Sequence, residues 1–359
     1  MSDSKNKKLC LELLKCDSEK SVIKILKKEG YWEDPNCWKP YGKVENNSGQ
    51  ISGQQSQADL SLVEKIINSV DAVLMNECLV REIDPESKKA PKSIAEALKK
   101  WFSVYDGKLE NLTKKQLEDL SEKIHLVASG DKKYPCYSII DKGEGQTPNN
   151  IENTLLSLGK IRKAKIPFVQ GKYNMGGAAA MVFAGEDNLQ LVISKRNQQF
   201  KKDGDDSFEK WGFTIVRRDE SIPGVEGIPV YNYLCVDNKI LSFKSDSLPL
   251  LPGKKYSKNN PPENYQQELE SGTLIKLYNY DIGVLRSAII TDLFFRLSTL
   301  LPAMAMPVTL TETRKYKSNT FNRRLTGILT RLESENDLQK NLEEGFPYSS
   351  IISFNNEKI

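Results

Sequence analysis

The residues from Glu64 to Ala72, Glu64-Lys65-Ile66-Ile67-Asn68-Ser69-Val70-Asp71-Ala72, lie inside the most strongly helical pattern of the chain. From Asp59 onward, apolar residues recur at the three-and-four spacing of a core-facing stripe, which predicts a helix running to about Leu79. At about 100° per residue, Glu64, Asn68 and Asp71 fall within roughly 60° of arc beside that stripe. Such a polar line can face a cavity, and a solvated helix face explains it equally well.

The residue types on this line suit a magnesium ion and a water molecule. Mg²⁺ prefers oxygen ligands and keeps several waters, so the amide oxygen of Asn68 and triphosphate oxygens together form a reasonable shell. The carboxylate of Glu64, one turn away, could orient or deprotonate an attacking water as a general base.

A second segment, Asp141-Lys142-Gly143-Glu144-Gly145, follows a predicted strand from Tyr137 to Ile140. Asp141 is placed to accept a hydrogen bond from an exocyclic amine. Gly143 and Gly145 would let a flat base approach the backbone. An ordinary turn has the same D-x-G-x-G pattern.

A third segment, Gly171-Lys172-Tyr173-Asn174-Met175-Gly176-Gly177, precedes a predicted small-residue helix from Ala178 to Phe183. Backbone N–H groups at such a helix start bind phosphate, and Asn174 tolerates the left-handed conformation. The segment is not a P-loop, because no G-K-[ST] follows. Each of the three segments has an ordinary structural explanation, but their order favours a nucleotide pocket.

In this order the segments resemble the GHKL, or Bergerat-fold, ATPases, which include gyrase B-type subunits, the ninety-kilodalton heat-shock chaperones, MutL proteins and histidine kinases. Glu64-x-x-x-Asn68-Ser69-x-Asp71-Ala72 resembles their N box, especially its MutL form. The resemblance implies that Glu64 is the general base, that Asn68 is the Mg²⁺ ligand and that Asp141 receives the adenine amine. It also implies an α/β fold, an α+β two-layer sandwich of a mixed sheet and a helical layer, with ATP and Mg²⁺ as cofactors.

The resemblance covers roughly residues 58 to 277. Gly171 to Gly176 is similar to the chaperone form of the second glycine box, with Asn174 where glycine is usual. Leu158 to Lys163 is similar to the start of the chaperone lid, so Lys163 is a candidate phosphate contact, although a solvated lysine is an equal alternative. Gly272-Thr273 is similar to the late strand whose threonine supports the adenine-binding acid. The candidate cofactor-binding residues are Asn68, Asp71, Asp141, Gly143, Gly145, Lys163, Gly171, Lys172, Tyr173, Asn174, Met175, Gly176, Gly177 and Thr273, with Asn68 also the metal candidate and Glu64 the catalytic one.

A closer resemblance links the whole chain to a group of bacterial GHKL proteins usually described only as ATP-binding. The segments Val44 to Asn47, Gln54 to Ser56 and Pro167 to Gly171 carry it. For some members of that group it suggests a setting in phage defence.

The expected organisation has three parts. Residues 1–57 hold a short helix between Asp17-Ser18 and Gly30, followed by a strap. Residues 58–280 form the ATP-binding domain, with a helical insertion at about 80–125. Residues 281–359 begin a transducer-like domain. Since no strand follows the apolar-centred run from Ser349 to Phe354, we expect this domain to be truncated and the chain to be the N-terminal part of something longer.

Several elements are expected along the way. The remaining predicted helices are Ser93–Val104, Lys114–Ile124, Pro148–Gly159 and Ile289–Leu301, and the remaining predicted strands are Leu189–Ser194, Phe213–Arg217, Gly272–Leu277 and Pro307–Thr311. Residues Lys160 to Gln170 suit a mobile lid, and Asp246 to Gln267 read as a surface loop. Lys315 and Lys317 are candidates, on position alone, for a lysine that completes the γ-phosphate site.

Composition narrows the classes of function. The formal charge is +4, from 52 basic and 48 acidic residues, and gives no electrostatic argument for nucleic acid. No run of about eighteen apolar residues predicts a membrane span, and Met1 to Lys8 does not suit a signal peptide, so a cytoplasmic protein is the default expectation. Six cysteines without a C-x-x-C pair predict reduced, buried thiols.

The single histidine, His125, rules out Ser-His-Asp and Cys-His mechanisms, so that any base must be a carboxylate or a lysine. Histidine-kinase activity is disfavoured because no histidine precedes the N box. Two functions remain. One is Mg²⁺-dependent ATP hydrolysis that drives closure of the lid and strap and ATP-gated homodimerisation. The other is an ATP-sensing switch or partner-binding module with little turnover, which shares the pocket but does not need Glu64.

Overall fold

A large mixed β-sheet forms the centre of this mixed α/β chain. The computed structural model describes residues 2–44, 47–54, 56–159, 163–171, 176–201, 204–220, 229–334, 353–354 and 357–358. Its helices are α1 Asp3–Lys15, α2 Glu19–Lys28, α3 Ser48–Ser52, α4 Ala58–Val80, α5 Ile94–Phe102, α6 Lys114–Ser121, α7 Pro148–Ile151, α8 Gly176–Ala179, α9 Asp292–Leu300 and α10 Ile328–Ser334. Its strands are β1 Trp38–Pro40, β2 Ile124–Gly130, β3 Pro135–Asp141, β4 Gln190–Lys195, β5 Lys210–Asp219, β6 Val230–Leu234, β7 Leu241–Lys244, β8 Leu248–Leu251, β9 Gln267–Leu269, β10 Gly272–Leu277, β11 Val308–Glu312, β12 Asn322–Leu325, β13 Ser353–Phe354 and β14 Glu357–Lys358.

The sheet brings strands that are distant in sequence side by side. Its order is β1-β6-β5-β4-β10-β3-β2-β11-β12, and β7 also pairs with β5. β11 is parallel to β2, whereas the other neighbouring strands of this sheet pair antiparallel. The central strand β10 places Thr273 opposite Asp141 on one side and opposite Ser194 on the other.

Helix α4 confirms the long helix predicted from the apolar stripe. It contains neither proline nor glycine, and its stripe residues Leu62, Ile66, Val70 and Leu74 are buried against one face of the sheet. The phenol of Tyr280 donates a hydrogen bond to the Ala58 carbonyl, which fixes the start of the helix. This face of the sheet carries the cavity described below.

The opposite face is covered as well, which corrects the expectation of two layers. α1 was not predicted, and α2 confirms the helix expected after Asp17-Ser18. Both pack on apolar residues of the far face. The buried Lys276 of β10 donates to the carbonyls of Leu14, in the last turn of α1, and of Cys16, which follows that helix. The N-terminal helices therefore form a third, partial layer.

Other predictions needed correction in part. The helix expected from Pro148 to Gly159 is the four-residue α7, followed by turns. α6 ends at Ser121 because the chain enters β2, and His125 lies in that strand. The segment expected to be a loop, residues 246–267, contains β8, whose leucines are buried in the far-face core and which pairs with β9. Prolines and polar neighbours concealed this short strand.

The residues after 281 continue the same sheet. α9 packs in the core cluster that contains α4, and β11 extends the sheet beyond β2. The expected boundary at residue 281 therefore does not coincide with a break in the sheet. Of the run from Ser349 to Phe354, only 353–354 lies within the described residues.

Two compositional expectations can be compared with the structure. All six cysteines are buried and free of disulfides, as predicted. No helix in the described part of the chain is long and apolar enough to cross a membrane.

Candidate functional site

A cavity of about 640 Å³ lies between α4 and the sheet. A volume of this size is typical of sites that bury a small organic ligand. Helix α4 contributes Lys65, Asn68, Ser69, Ala72 and Met75, the sheet contributes Ile139, Asp141, Thr273 and Ile275, and the segments around them contribute Gly145, Lys163, Gly171 and Gly177. The three sequence segments that predicted a nucleotide pocket therefore meet around one cavity.

Asn68 lies between Gly171 and Gly177, the two ends of the third sequence segment. A Cβ atom at Gly171 would be 2.8 Å from Asn68 Oδ1, and a Cβ atom at Gly177 would be 3.2 Å from Asn68 Nδ2. Any side chain at Gly171 would displace the amide. The absence of side chains at both positions thus lets the backbone approach the residue expected to bind Mg²⁺.

Asp71 holds the backbone of the same segment. Its carboxylate is fully buried and accepts hydrogen bonds from the N–H of Gln170 at 2.9 Å and from the N–H of Gly171 at 2.7 Å. Lys163 Nζ lies 3.9 Å from Asp71 Oδ2. Asp71 is thus a positioning residue for the 163–171 segment, a role that the pattern from Glu64 to Ala72 did not indicate.

Asp141 occupies the end of β3, with its carboxyl group turned toward α4. The N–H of Gly143 donates to its Oδ1 at 3.0 Å, and the hydroxyl of Ser69 lies 3.5 Å from its Oδ2. Burial raises the pKa of Asp141 to about 7, against the opposing effect of the Gly143 bond. The carboxyl group therefore changes charge near neutral pH, where an amine-bearing ligand would favour the ionised acceptor.

Thr273 supports this end of the cavity from the next strand. Its hydroxyl is 2.9 Å from the hydroxyl of Ser194, which in turn accepts a hydrogen bond from the N–H of Gln146. The chain linking β10, β4 and the turn after Asp141 fixes the loop that lines the cavity. Sequence similarity pointed to Thr273, whereas no motif marked Ser194.

Gly145 and Gly143 are required by the shape of the turn. Gly145 has a φ of +59°, and a Cβ atom there would lie only 1.8 Å from the carbonyl oxygen of Lys195. A Cβ atom at Gly143 would lie 2.6 Å from the Cβ of Ala72. The turn can therefore pack against both α4 and β4 only with glycine at these positions.

Glu64, the predicted general base, lies outside the group of residues that line the cavity. It is partly exposed on α4 and does not belong to the residues that line the cavity. Burial and then the negative charge of Asp71 raise its pKa. A base role would thus require its carboxylate to reach a water at the cavity's edge.

The remaining candidates differ in what the structure shows. Lys172, Tyr173, Asn174 and Met175 lie outside the described residues, as do 160–162 of the expected lid. Gly176 begins α8. Lys315 and Lys317 are exposed beyond the C-terminal end of β11, toward Pro135 and away from Asp141.

Sequence reasoning missed many contributors to the cavity wall, among them Arg196, Phe200 and Lys65. Arg196 Nη1 donates to Glu144 Oε2 at 2.5 Å and to the Gly145 carbonyl at 3.0 Å, and its guanidinium lies 5.0 Å from the ring centre of Phe200. Lys65 also lines the cavity. Lys65 occupies an unspecified position of the Glu64–Ala72 segment, and Arg196 lies two residues after the predicted strand Leu189–Ser194.

The side chains of the described residues limit how a metal ion could be bound. Among the described residues, no group of three histidine, cysteine, aspartate or glutamate side chains could hold a metal ion. A Mg²⁺ ion at Asn68 would therefore take most of its ligands from phosphate and water, which matches the usual behaviour of this ion.

No protein-family model matches the sequence, and no curated protein matches it either. Function is therefore inferred from the geometry of the cavity.

Proposed function

We propose that this chain is a Bergerat-fold protein that binds ATP with Mg²⁺ and hydrolyses it. The observation that carries the proposal is the convergence on α4 of three separate segments. Asn68 lies against Gly171 and Gly177, while the next residue, Ser69, lies beside Asp141. One cavity thus holds the Asp141 carboxyl group, which can accept a hydrogen bond from an exocyclic amine, and the Asn68 amide, which lies beside the backbone of Gly171 and Gly177.

Each residue has a definite task in this proposal. Asp141 accepts the adenine amine, and the Gly143 N–H keeps its carboxyl group in place. Asn68 presents its amide oxygen to Mg²⁺, which when bound would neutralise phosphate charge. Asp71 holds the Gly171 backbone against Asn68, and Lys163, beside Asp71, offers a cation to a phosphate. Glu64 orients the attacking water or removes its proton.

The alternative is an ATP-sensing switch with little turnover. The position of Glu64 outside the cavity lining favours it, because a base must come within hydrogen-bonding reach of its water. In either case we expect ATP to close the 160–170 lid and the N-terminal strap and to promote a homodimer.

The test separates binding from turnover. We expect Mg²⁺-dependent ATP binding by calorimetry and phosphate release at steady state. Asp141→Asn should weaken binding at least about tenfold, because an amide nitrogen would face the adenine amine in place of an acceptor. Failure of the unchanged protein to bind ATP would overturn the proposal.

Glu64→Gln then decides between the two functions. Under hydrolysis it should abolish phosphate release while ATP binding persists. Glu82→Gln, which alters an exposed carboxylate just after α4, is the matched control and should keep both. Equal, slow release by Glu64→Gln and the unchanged protein would favour the switch.

Dimerisation is tested by particle mass. Light scattering with a nonhydrolysable ATP analogue should show a shift from monomer to dimer, and Asp141→Asn should reduce that shift at the same nucleotide concentration. A constant mass would contradict ATP-gated dimerisation.

A further inference from the structure

Three surface loops of this chain carry a similar pattern of lysine and tyrosine. Their twelve residues include seven lysines, three tyrosines and one acidic residue. The loops are Asp131-Lys132-Lys133-Tyr134, Lys254-Lys255-Tyr256-Ser257-Lys258 and Lys315-Tyr316-Lys317. All seven lysines are exposed. The formal charge of +4 conceals this grouping, because it averages over the whole chain.

The fold brings the first and third loops together at one end of the sheet and places the end of the second loop against them. The first loop joins β2 to β3, and the third follows β11, which is parallel to β2 and ends on the same side. Lys132 Nζ lies 4.7 Å from the ring centre of Tyr316. The N–H of Asn259, just after the second loop, donates to the Ser318 carbonyl at 3.1 Å. We call the three loops together the lysine–tyrosine surface.

Most of the positive charge on this surface is unpaired. Lys254, at the start of the second loop, forms an ion pair with Glu122 at 3.5 Å, near the other end of β2. The other six lysines form no ion pair with any residue that the structure describes. The one acid, Asp131, accepts the N–H groups of Lys133 and Tyr134. A group of exposed like charges attracts an anionic partner.

The tyrosines of the surface are held by contacts that leave part of each ring accessible. Tyr134 and Tyr256 are 39% and 42% exposed. Tyr256 packs edge-on against the buried Phe321, with ring centres 5.6 Å apart. Lys133 Nζ lies 4.9 Å from the ring centre of Tyr134, within the range of a cation–π contact. Aromatic rings beside lysines can stack on bases whose phosphates contact those lysines.

The composition of the loops distinguishes among anionic partners. A membrane surface would require apolar side chains that insert, and the twelve residues contain no aliphatic, phenylalanine or tryptophan side chain. An acidic peptide would neutralise the lysines but has no planar groups for the tyrosines. A duplex conceals the faces of its bases, whereas a single strand presents both phosphates and unstacked bases.

We propose that the lysine–tyrosine surface binds single-stranded nucleic acid with little preference for sequence, its lysines contacting phosphates and its tyrosines stacking on bases. The inference is independent of the proposed nucleotide binding, because this surface lies where β3 begins, at Pro135, and the cavity lies where β3 ends, at Asp141. It gives Lys315 and Lys317 a role other than contact with a γ-phosphate.

The first test measures the electrostatic part of binding. Fluorescence anisotropy follows a labelled single strand of about twenty deoxythymidines at a series of salt concentrations. Each phosphate contact contributes about −0.7 to the slope of log affinity against log salt, so six lysines give a slope of up to about −4. A triple variant, Lys132→Gln with Lys315→Gln and Lys317→Gln, should bind more weakly and reduce the steepness by about 2. A slope near zero for the unchanged protein would overturn the proposal.

A second triple variant is the matched control. Lys88→Gln with Lys89→Gln and Lys92→Gln removes the same charge from exposed residues that follow the C-terminal end of α4. It should keep the salt slope and the affinity of the unchanged protein. An equal loss in both triple variants would show that net charge alone attracts the strand, and the proposed surface would be wrong.

The tyrosines are tested separately. Tyr134→Leu and Tyr256→Leu should each weaken binding by about fivefold or more, as expected for the loss of one base–aromatic stack, and should leave the salt slope unchanged. Tyr134→Phe and Tyr256→Phe keep the ring and should keep the affinity. Full affinity in both leucine variants would overturn the proposed stacking.

Competing partners decide the remaining alternatives. A duplex of the same length should bind more weakly than the single strand, and vesicles of phosphatidylcholine and phosphatidylserine should not sediment the protein. Stronger binding to either one would overturn the choice of a single strand. Saturating ATP at constant ionic strength should leave the strand bound, whereas its complete displacement would place the strand in the nucleotide cavity and contradict the proposal.

Discussion

Asp71→Asn is the substitution that best tests how the site is held together. The carboxylate is fully buried and binds the N–H groups of both Gln170 and Gly171, at 2.9 and 2.7 Å. An asparagine has nearly the same shape but only one acceptor atom. Its amide nitrogen would face one of the two backbone N–H groups, donor against donor.

The magnitude follows from that loss. A hydrogen bond to an ionised acceptor contributes about 1.5–3 kcal/mol, so removing one of the two should cost about 2 kcal/mol of local stability. If the segment that ends at Gly171 must be in place for ATP to bind, affinity should fall by up to roughly thirtyfold. The Lys163 contact, at 3.9 Å and partly exposed, adds little.

Two assays should move together. The ATP dissociation constant should rise, and the amide of Gly171 should exchange with deuterium faster in the nucleotide-free protein. Asp59→Asn is the matched control, because Asp59 is a buried aspartate of the same helix whose carboxylate binds Arg296 and not the site. It should lower overall stability without changing ATP affinity.

The result can refute the reasoning in two ways. If Asp71→Asn leaves both measurements unchanged, the two backbone bonds do not organise the site. If affinity falls while the exchange of Gly171 stays constant, Asp71 contacts the nucleotide directly and is not a tether.

Further predictions concern Asp141, Gly145 and Lys276. Asp141 has a pKa raised to about 7, so ATP affinity should increase as pH rises from 6 to 8, and this dependence should be absent in Asp141→Asn. Because the pKa of Asp141 is about 7 in the folded protein and 3.8 in the unfolded chain, its protonation stabilises the fold fully only below pH 3.8, and this contribution is lost as pH rises through 7. The melting temperature of the nucleotide-free protein should therefore fall over this pH range. A pH-independent melting temperature would contradict this. Gly145→Ala should destabilise the protein by more than about 2 kcal/mol in denaturant unfolding, because its Cβ would overlap the Lys195 carbonyl at a positive φ; near-normal stability would show that the turn can relax. Lys276→Met should cost about 2–4 kcal/mol, because it leaves two buried carbonyls between α1 and α2 without a donor, and limited proteolysis should cleave that region first; resistance equal to that of the unchanged protein would argue against the anchor.

The periodic parts of the chain were predictable from sequence. The stripe of α4 repeats at helical spacing over its whole length, and the strand before Asp141 ends at glycines that a turn requires, so both elements appear where expected. Short strands such as β8 were missed because four residues, one of them Pro249, carry no clear period. What makes β8 a strand is its pairing with β9 and the burial of its leucines.

Local pattern therefore determined that α4 is a helix, that Asp141 ends a strand and that glycines border the same region, because helical periodicity and positive φ are properties of a few neighbouring residues. Only the tertiary structure decided that Asp71 tethers the Gly171 backbone and that Lys65 donates a hydrogen bond to Gln190. The hydrogen bonds responsible join residues 100 and 125 positions apart. Such contacts depend on how the sheet brings β4, β10 and β3 beneath α4, and no spacing within a single segment can specify them.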